Sequence, residues 1–281
     1  MMKNGLSGIF ILAAAAVLNI TAGCSSADMI MRVGDRQEIA FARLIEEIKG
    51  HRLIFIGEEH DRMKDHWFQL KIIKALNDGG IPLAIGLEMF TADNQGDLDR
   101  WITGKMDEEE FVRRYNLNWS VPWPMYRQIF LYARQNDIPL VGLNVPRGIT
   151  RKVAREGIAA LTPEERKQIP GVITCDVDAA YMSLVRRAFA DHKQGDKLFV
   201  RFCEAQMLWN RTMAWRIQEF MRGHPGRSVV VLTGKAHAMK PGIPKEIRHE
   251  GAVEYKVILP EDEIFNRGAV TVADTDYLFM R

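Results

Sequence analysis

Two Gly-x-x-His tetrads, Gly57-Glu58-Glu59-His60 and Gly234-Lys235-Ala236-His237, each close a short apolar run. Leu53-Ile54-Phe55-Ile56 leads into the first and Val229-Val230-Val231-Leu232-Thr233 into the second. A third run, Leu83-Ala84-Ile85-Gly86-Leu87, ends in Glu88. Imidazole together with carboxylate suits three kinds of chemistry: holding Zn, Mn, Fe or Co, moving protons, or steering an iron-bearing cofactor. One tetrad alone is weak evidence, because a histidine after a strand commonly has a structural job. The repetition of one theme at three strand ends is more specific. In an open parallel sheet, ligands bind in the crevice beyond the carboxyl ends of the strands. His60, His237, Glu58 and Glu88 are therefore expected to share one pocket, as catalytic residues or as ligands to a metal. The glycine heading each tetrad lets the chain turn without a Cβ clash.

Other side chains border this set. Glu59 and Asp61 are weaker acidic candidates, and Asp61 is expected to cap the helix that follows. His66 lies one or two turns further on, at the rim of the site or partly exposed on its helix. Arg147, in Asn144-Val145-Pro146-Arg147 after another apolar run, offers a planar fork for a carboxylate or phosphate, or an ion pair with Glu88. Lys235 can meet an anionic ligand. Trp119, Trp123 and Tyr126 form an aromatic cluster expected chiefly in the core. His51, His192, His224 and His249 fall near element ends or turns and read as surface residues.

The elements that must position these groups alternate. A helical pattern over 38–49 precedes strand 53–57, a helix from Asp61 to Leu76, and strand 83–88. Helices follow at 94–102, 108–115 and 124–135, then strands 140–143, 229–233 and 253–259. Asp107 with Glu110 and Thr162 with Glu165 have capping-box spacing, and Pro124 suits a first helical position. Strands separated by helices of this length predict an α/β fold, a mainly parallel sheet flanked by helices. From about 148 to 224 the alternation gives way to long helical patterns near 177–193 and 197–222, an all-helical insertion between sheet strands. The second is apolar on several sides, as expected of a buried helix. Cys175 and Cys203 fall in this insertion, and their spacing leaves a disulfide and a buried free thiol both open.

Residues 1–23 have the layout of a secretory leader: Lys3, an apolar core over 9–18, then Thr21-Ala22-Gly23. Cys24, followed by Ser25-Ser26, looks like a lipobox cysteine that becomes the acylated N-terminus, with a tether over 24–36 before a single domain over 37–281. Such a chain is expected at the outer membrane, on its periplasmic face, held by acyl chains. With 38 Lys and Arg against 36 Asp and Glu and no basic run, nothing argues for nucleic acid as a partner.

Taken in order, Gly57-Glu58-Glu59-His60 with His66, Gly86-Leu87-Glu88-Met89-Phe90, Trp123 to Tyr132, Asn144-Val145-Pro146-Arg147, Arg201 to Ala214, and Gly234-x-x-His237 resemble the ChaN family of haem-binding lipoproteins, within the TIKI-like superfamily. The likeness spans about residues 40–260. It implies haem as cofactor, a role in haem or iron uptake, a homodimer, and an outer-membrane haem receptor as partner. It also implies a tyrosine on the iron, with histidine and lysine from the second subunit on the propionates. Arg147, Lys235, His66 and Tyr181 are the cofactor-binding candidates on this basis, although no short motif assigns the tyrosine. The superfamily's other implication is a metal-dependent hydrolase or protease, with Glu58, His60, Glu88 and His237 holding Mn, Zn or Co. One departure stands out: Asn210 follows Trp209 where the family often has an acid.

Overall fold

The computed structural model describes residues 29–175, 181–182, 196–248 and 253–280. The leader, Cys24, His192, His249 and most of the helix expected over 177–193 lie outside the described residues.

The apolar runs become strands: β3 (Leu53–Glu58), β4 (Leu83–Thr91), β5 (Leu140–Asn144), β6 (Ser228–Gly234) and β7 (Tyr255–Pro260). Three short strands complete the sheet: β1 (Ile30–Arg32), β2 (Gln37–Ile39) and β8 (Tyr277–Phe279). The eight strands run in the order β2-β1-β8-β7-β3-β6-β4-β5. All pairings from β8 to β5 are parallel, and only β1 is antiparallel to its two neighbours. The expected mainly parallel sheet is therefore present.

Every residue of β3 and β4 is buried, as parallel strands covered on both faces require. Alternate residues serve opposite layers. Leu53 and Phe55 face one cluster with Val229, Val231, Val257 and Leu259, whereas Ile54 and Ile56 face the other with Ile85, Leu87, Val230 and Leu232. Burying one such side chain contributes roughly 1.5–3 kcal/mol, so the central strands hold the fold together.

Helices α1 (Phe41–Ile48), α2 (Met63–Asp78), α3 (Gln95–Ile102), α4 (Glu108–Asn118) and α5 (Trp123–Gln135) cover the second layer. Helices α6 (Arg147–Glu156), α7 (Pro163–Arg166) and α8 (Asp196–Gly223) stand between β5 and β6 as the expected helical insertion. Ile149, Val153, Leu208, Met213 and Ile217 from this stretch pack on the first layer. After β6 come the short turn α9 (Lys235–Ala238) and α10 (Ile243–Arg248), on the same side. The helices after β6 thus cover the opposite face from those after its neighbours β3 and β4. That reversal opens a crevice at the strand ends.

Two expectations change, and one open choice is decided. Residues 30–39, read as tether and helix start, contribute β1 and β2; Ile30, Met31 and Val33 are buried, which draws the segment into the sheet edge. Asp61 does not cap α2, which starts at Met63 without a side-chain cap. Cys203 is not a free thiol: it forms a disulfide with Cys175, with Cα atoms 5.5 Å apart. The bridge pins the loop after α7 to α8. Among the described residues no helix is long and apolar enough to cross a membrane.

Candidate functional site

Register brings the three motifs together. β3 and β6 are neighbours, with Gly57 opposite Thr233 and Glu58 opposite Gly234. On the other side of β6, Leu87 of β4 lies opposite Leu232, placing Glu88 at the same level. An irregularity in the β4–β5 pairing falls between Leu87 and Thr91. Bulges of this kind re-aim side chains next to sites. Asn144 Nδ2 donates to the Glu88 carbonyl at 2.8 Å and secures that end of β4.

Glu58 is the buried hub. Its Oε1 accepts from His60 Nδ1 at 2.8 Å and from the Tyr126 hydroxyl, and its Oε2 accepts from Gln69 Nε2 at 2.6 Å. His66 Nδ1 lies 3.4 Å from the same Oε2 and 3.2 Å from Gln69 Oε1. The other nitrogen of His66 meets the His60 carbonyl at 3.1 Å. Both ring nitrogens of His66 thus face acceptors, which suits the doubly protonated ring. Burial opposes that charge, but the Glu58 hydrogen bond and charge outweigh it and raise the His66 pKa. For Glu58, burial alone would favour the neutral acid. Hydrogen bonds from His60 and His66, and their charges, hold it well below the usual carboxylate range. The hydroxyl of Tyr126, buried beside this carboxylate, is pushed above its ordinary value.

His60 is the exposed end of this network, with 38% of its side chain accessible. Burial lowers its pKa, yet the Glu58 hydrogen bond and the charges of Glu88, Glu58 and Asp61 raise it to about 9. Trp119 meets the ring edge-on, with centroids 5.0 Å apart. The Cε1–Nε2 edge lies against Gly234, where an added Cβ would come within 3.1 Å of Cε1 and 3.3 Å of Nε2. A glycine here lets the ring lie close against the end of β6. Gly57 is needed for a different reason: its Cβ would run into Leu259 at 2.6 Å and the Lys235 backbone at 3.0 Å.

His237 is held differently. Its Nδ1 donates to Asn210 Oδ1 at 2.7 Å, while Asn210 Nδ2 donates to the Tyr181 hydroxyl at 2.7 Å. An amide oxygen only accepts, so the proton sits on Nδ1 and Nε2 carries the lone pair. That nitrogen lies 3.8 Å from Glu88 Oε1. Burial lowers the His237 pKa; Glu88 opposes this and the charge on His60 adds to it. Glu88 Oε2 accepts from the Gly234 amide at 2.7 Å.

The expected set of Glu58, His60, Glu88 and His237 is therefore assembled at one crevice, with unequal parts. Glu58 orients His60 with oxygens already engaged. Among the described residues no group of three or more His, Cys, Asp or Glu side chains is disposed to hold a metal ion. His66 and Tyr181 are buried and brace the two site histidines. Lys235 binds Glu59 Oε1 at 2.6 Å and also Asp262, tying the β3 and β7 ends together. Arg147 stands exposed at the first turn of α6, and Glu88 makes its bonds to the β6 end instead of to it. His51 is half-buried and His224 exposed.

Sequence reasoning missed Gln69 and the role of Tyr126. His66 and Gln69 share a helix face three residues apart, a readable cue. Tyr126 comes from α5, and nothing local announces that its hydroxyl reaches Glu58.

Residues 44–247 match the family described as haem-binding uptake, Tiki superfamily, ChaN. The chain belongs to this family. A solved structure titled cofacial heme binding to ChaN of Campylobacter jejuni shares the fold, with a TM-score of 0.72 and 21% identity over 91% of this chain and 97% of that one. The type III effector HopBA1 is a more distant fold relative, with a TM-score of 0.51 and 12% identity over 90% and 95% of the two chains. Protein RETICULATA-RELATED 5, chloroplastic, of Arabidopsis thaliana is 30% identical over 132 residues, 44% of this chain and 18% of its own length. The chain thus spans less than a fifth of that plant relative.

Proposed function

We propose that this member of the ChaN family binds haem at the strand-end crevice and serves haem or iron uptake. The observation that carries the reading is the partly exposed His60 ring at the crevice, fixed through Nδ1 on buried Glu58, in a chain of a haem-binding uptake family. A haem site needs a donor for the iron, apolar surroundings and cations for the propionates. Nε2 of His60 supplies the first and Trp119 part of the second. Arg147, exposed at the start of α6, is a cation available for a propionate. Lys235 would have to exchange Glu59 or Asp262 for one. When bound, haem brings the iron; the residues supply its seat. The leader and Cys24-Ser25-Ser26 support lipid anchoring at the outer membrane, where the protein works as a homodimer with a haem receptor as its partner.

Haem titration of the purified full-length chain tests this reading. A saturable Soret band is expected. Its absence, together with metal-stimulated hydrolysis of a peptide or ester, would favour the metal-hydrolase alternative. That alternative requires Glu58 to leave His60, Tyr126 and Gln69. Palmitate labelling of the chain and of Cys24→Ala tests the anchor, with label expected only on the former.

A further inference from the structure

Helix α2 carries site residues on one side and a different surface on the other. Inward, His66 and Gln69 meet Glu58, while Phe68, Ile72, Ile73 and Leu76 fill the second layer. Outward stand Lys64, Trp67, Lys71 and Lys74, all exposed, at spacings that align them along one helix face. Trp67 leaves 52% of its surface accessible. An indole favours a boundary that is apolar on one side and wet on the other. The one acid within this span, Asp65, is buried and accepts from the Glu59 amide. The neighbouring acids of α1 are matched: Glu46 holds Lys49, and Glu47 holds Arg32 and Arg43. The outer face of α2 is thus an exposed indole set among lysines.

This face adjoins the place where the chain enters the sheet. Lys71 Nζ lies 4.3 Å from the centre of the Phe41 ring, which meets Phe68 edge-on. Phe68 stacks on Phe279 with centroids 4.1 Å apart, and Phe279 lies opposite Ile30, the first residue of β1. The Met29 carbonyl accepts from the Met280 amide at 2.8 Å, and Met29 is itself exposed. Because β1 takes up Ile30–Arg32, only residues 25–28 separate Met29 from Cys24. Fully extended, the stretch from Cys24 to Met29 reaches about 17 Å. An acylated Cys24 would therefore hold this corner of the domain against a bilayer. Lysine ammonium groups are drawn to anionic lipid while their stems lie along apolar surface, and tryptophan settles at the headgroup level. A second copy of the chain fits poorly here, since a two-fold contact through the patch would set lysines against lysines.

We infer that the α2 face formed by Lys64, Trp67, Lys71 and Lys74 docks on anionic phospholipid, in the bilayer that anchors Cys24. The indole seats at the headgroup boundary, and the ammonium groups meet the lipid phosphates. Helices α6, α8 and α10 cover the opposite face of the sheet, so docking leaves them turned away from the lipid. The inference rests on the lipid-anchor reading above and deepens it.

The test places the acylated chain in vesicles whose lipid tails carry bromine, which quenches a tryptophan seated at the headgroup boundary. In vesicles of phosphatidylglycerol and phosphatidylcholine, part of the emission of the six tryptophans should be quenched. Trp67→Phe should remove that quenched part. Lys64→Gln and Lys71→Gln should each lower the docked-to-undocked ratio about fivefold. Salt at about 1 M, which shortens the Debye length to about 3 Å, should release the domain. All three substitutions fall at exposed positions, and circular dichroism confirms that each variant is folded. Equal quenching of Trp67→Phe and the parent overturns the docking while the anchor stands, as does undiminished quenching in pure phosphatidylcholine. So does Trp67 emission that shifts with protein concentration in the absence of vesicles, the mark of a second copy on this face. Absence of palmitate on Cys24 overturns the anchor, and the docking with it.

Discussion

One sequence pattern, Gly-x-x-His, occurs twice at adjacent strand ends and yields two unlike imidazoles. At the β3 end, His60 leans on a buried carboxylate and is partly exposed, so it holds its proton. At the β6 end, His237 leans on a buried amide and is pushed towards the neutral form. The glycine and the strand decide where each ring sits; the partner of Nδ1 decides its charge. Asn210 therefore sets the tautomer of His237 in this chain. A carboxylate there would add a second anion beside His237, next to Glu88, and draw a proton onto the ring.

The difference can be broken most severely at its hub. Glu58→Ala removes the acceptor of His60, Tyr126 and Gln69 and leaves buried cationic His66 without its counter-ion. Breaking a buried pair from one side costs about 3–5 kcal/mol; chemical denaturation should show a loss of that order, and a loss below about 1 kcal/mol would refute the hub. Removing the disulfide by Cys175→Ser with Cys203→Ser should cost roughly 3 kcal/mol, because it closes a span of 28 residues. Its local effect belongs to the β6 half, since Cys203 lies two turns before Asn210 on α8. The NMR titration of His60 should stay in place; a large shift would mean the halves are not independent. Asn210→Ala leaves the Nδ1–H of His237 unpaired in a buried setting, a loss of about 1–3 kcal/mol. Asn210→Asp sharpens the contrast instead: the His237 pKa should rise in NMR titration while that of His60 does not fall.

Much of this site was readable because its parts are local. The apolar runs gave the strands, the tetrads gave their ends, and a parallel sheet gives its strand ends one common face. Residues that act across the fold were harder to read. Tyr126 arrives from α5 with its neighbours Trp123 and Phe130 in the aromatic core, so its pattern is that of any core tyrosine. Lys235 looked free for an anionic ligand because Asp262 is 27 residues away in sequence. The cysteines could not be paired from spacing, since bridging depends on how the loop after α7 packs on α8. Residues 30–39 were misread because three-residue strands leave too short an alternation to detect.

The subtlest consequence of the two histidines is a pH profile with opposite limbs. For His60 the folded pKa, about 9, stands above the ordinary 6.5. Below about 6.5 folded and unfolded chains both carry the proton, and the pair's stabilisation is complete. As pH rises to about 9 the unfolded chain releases a proton that the folded chain keeps, and stability falls until it is lost. His66 adds to this alkaline limb with the same sign. His237 works in reverse: its folded pKa is lowered, so below the ordinary value the unfolded chain gains a proton that the folded chain resists, and stability falls with acid. Thermal unfolding of the parent chain, His60→Gln and His237→Gln across this range separates the limbs. His60→Gln should flatten the alkaline side and His237→Gln the acid side. The alkaline effect of His60 should be the smallest of those predicted, because solvent screens a ring that is more than a third exposed. If both variants followed the parent profile, the contrast between a carboxylate-held and an amide-held imidazole would have no energetic content.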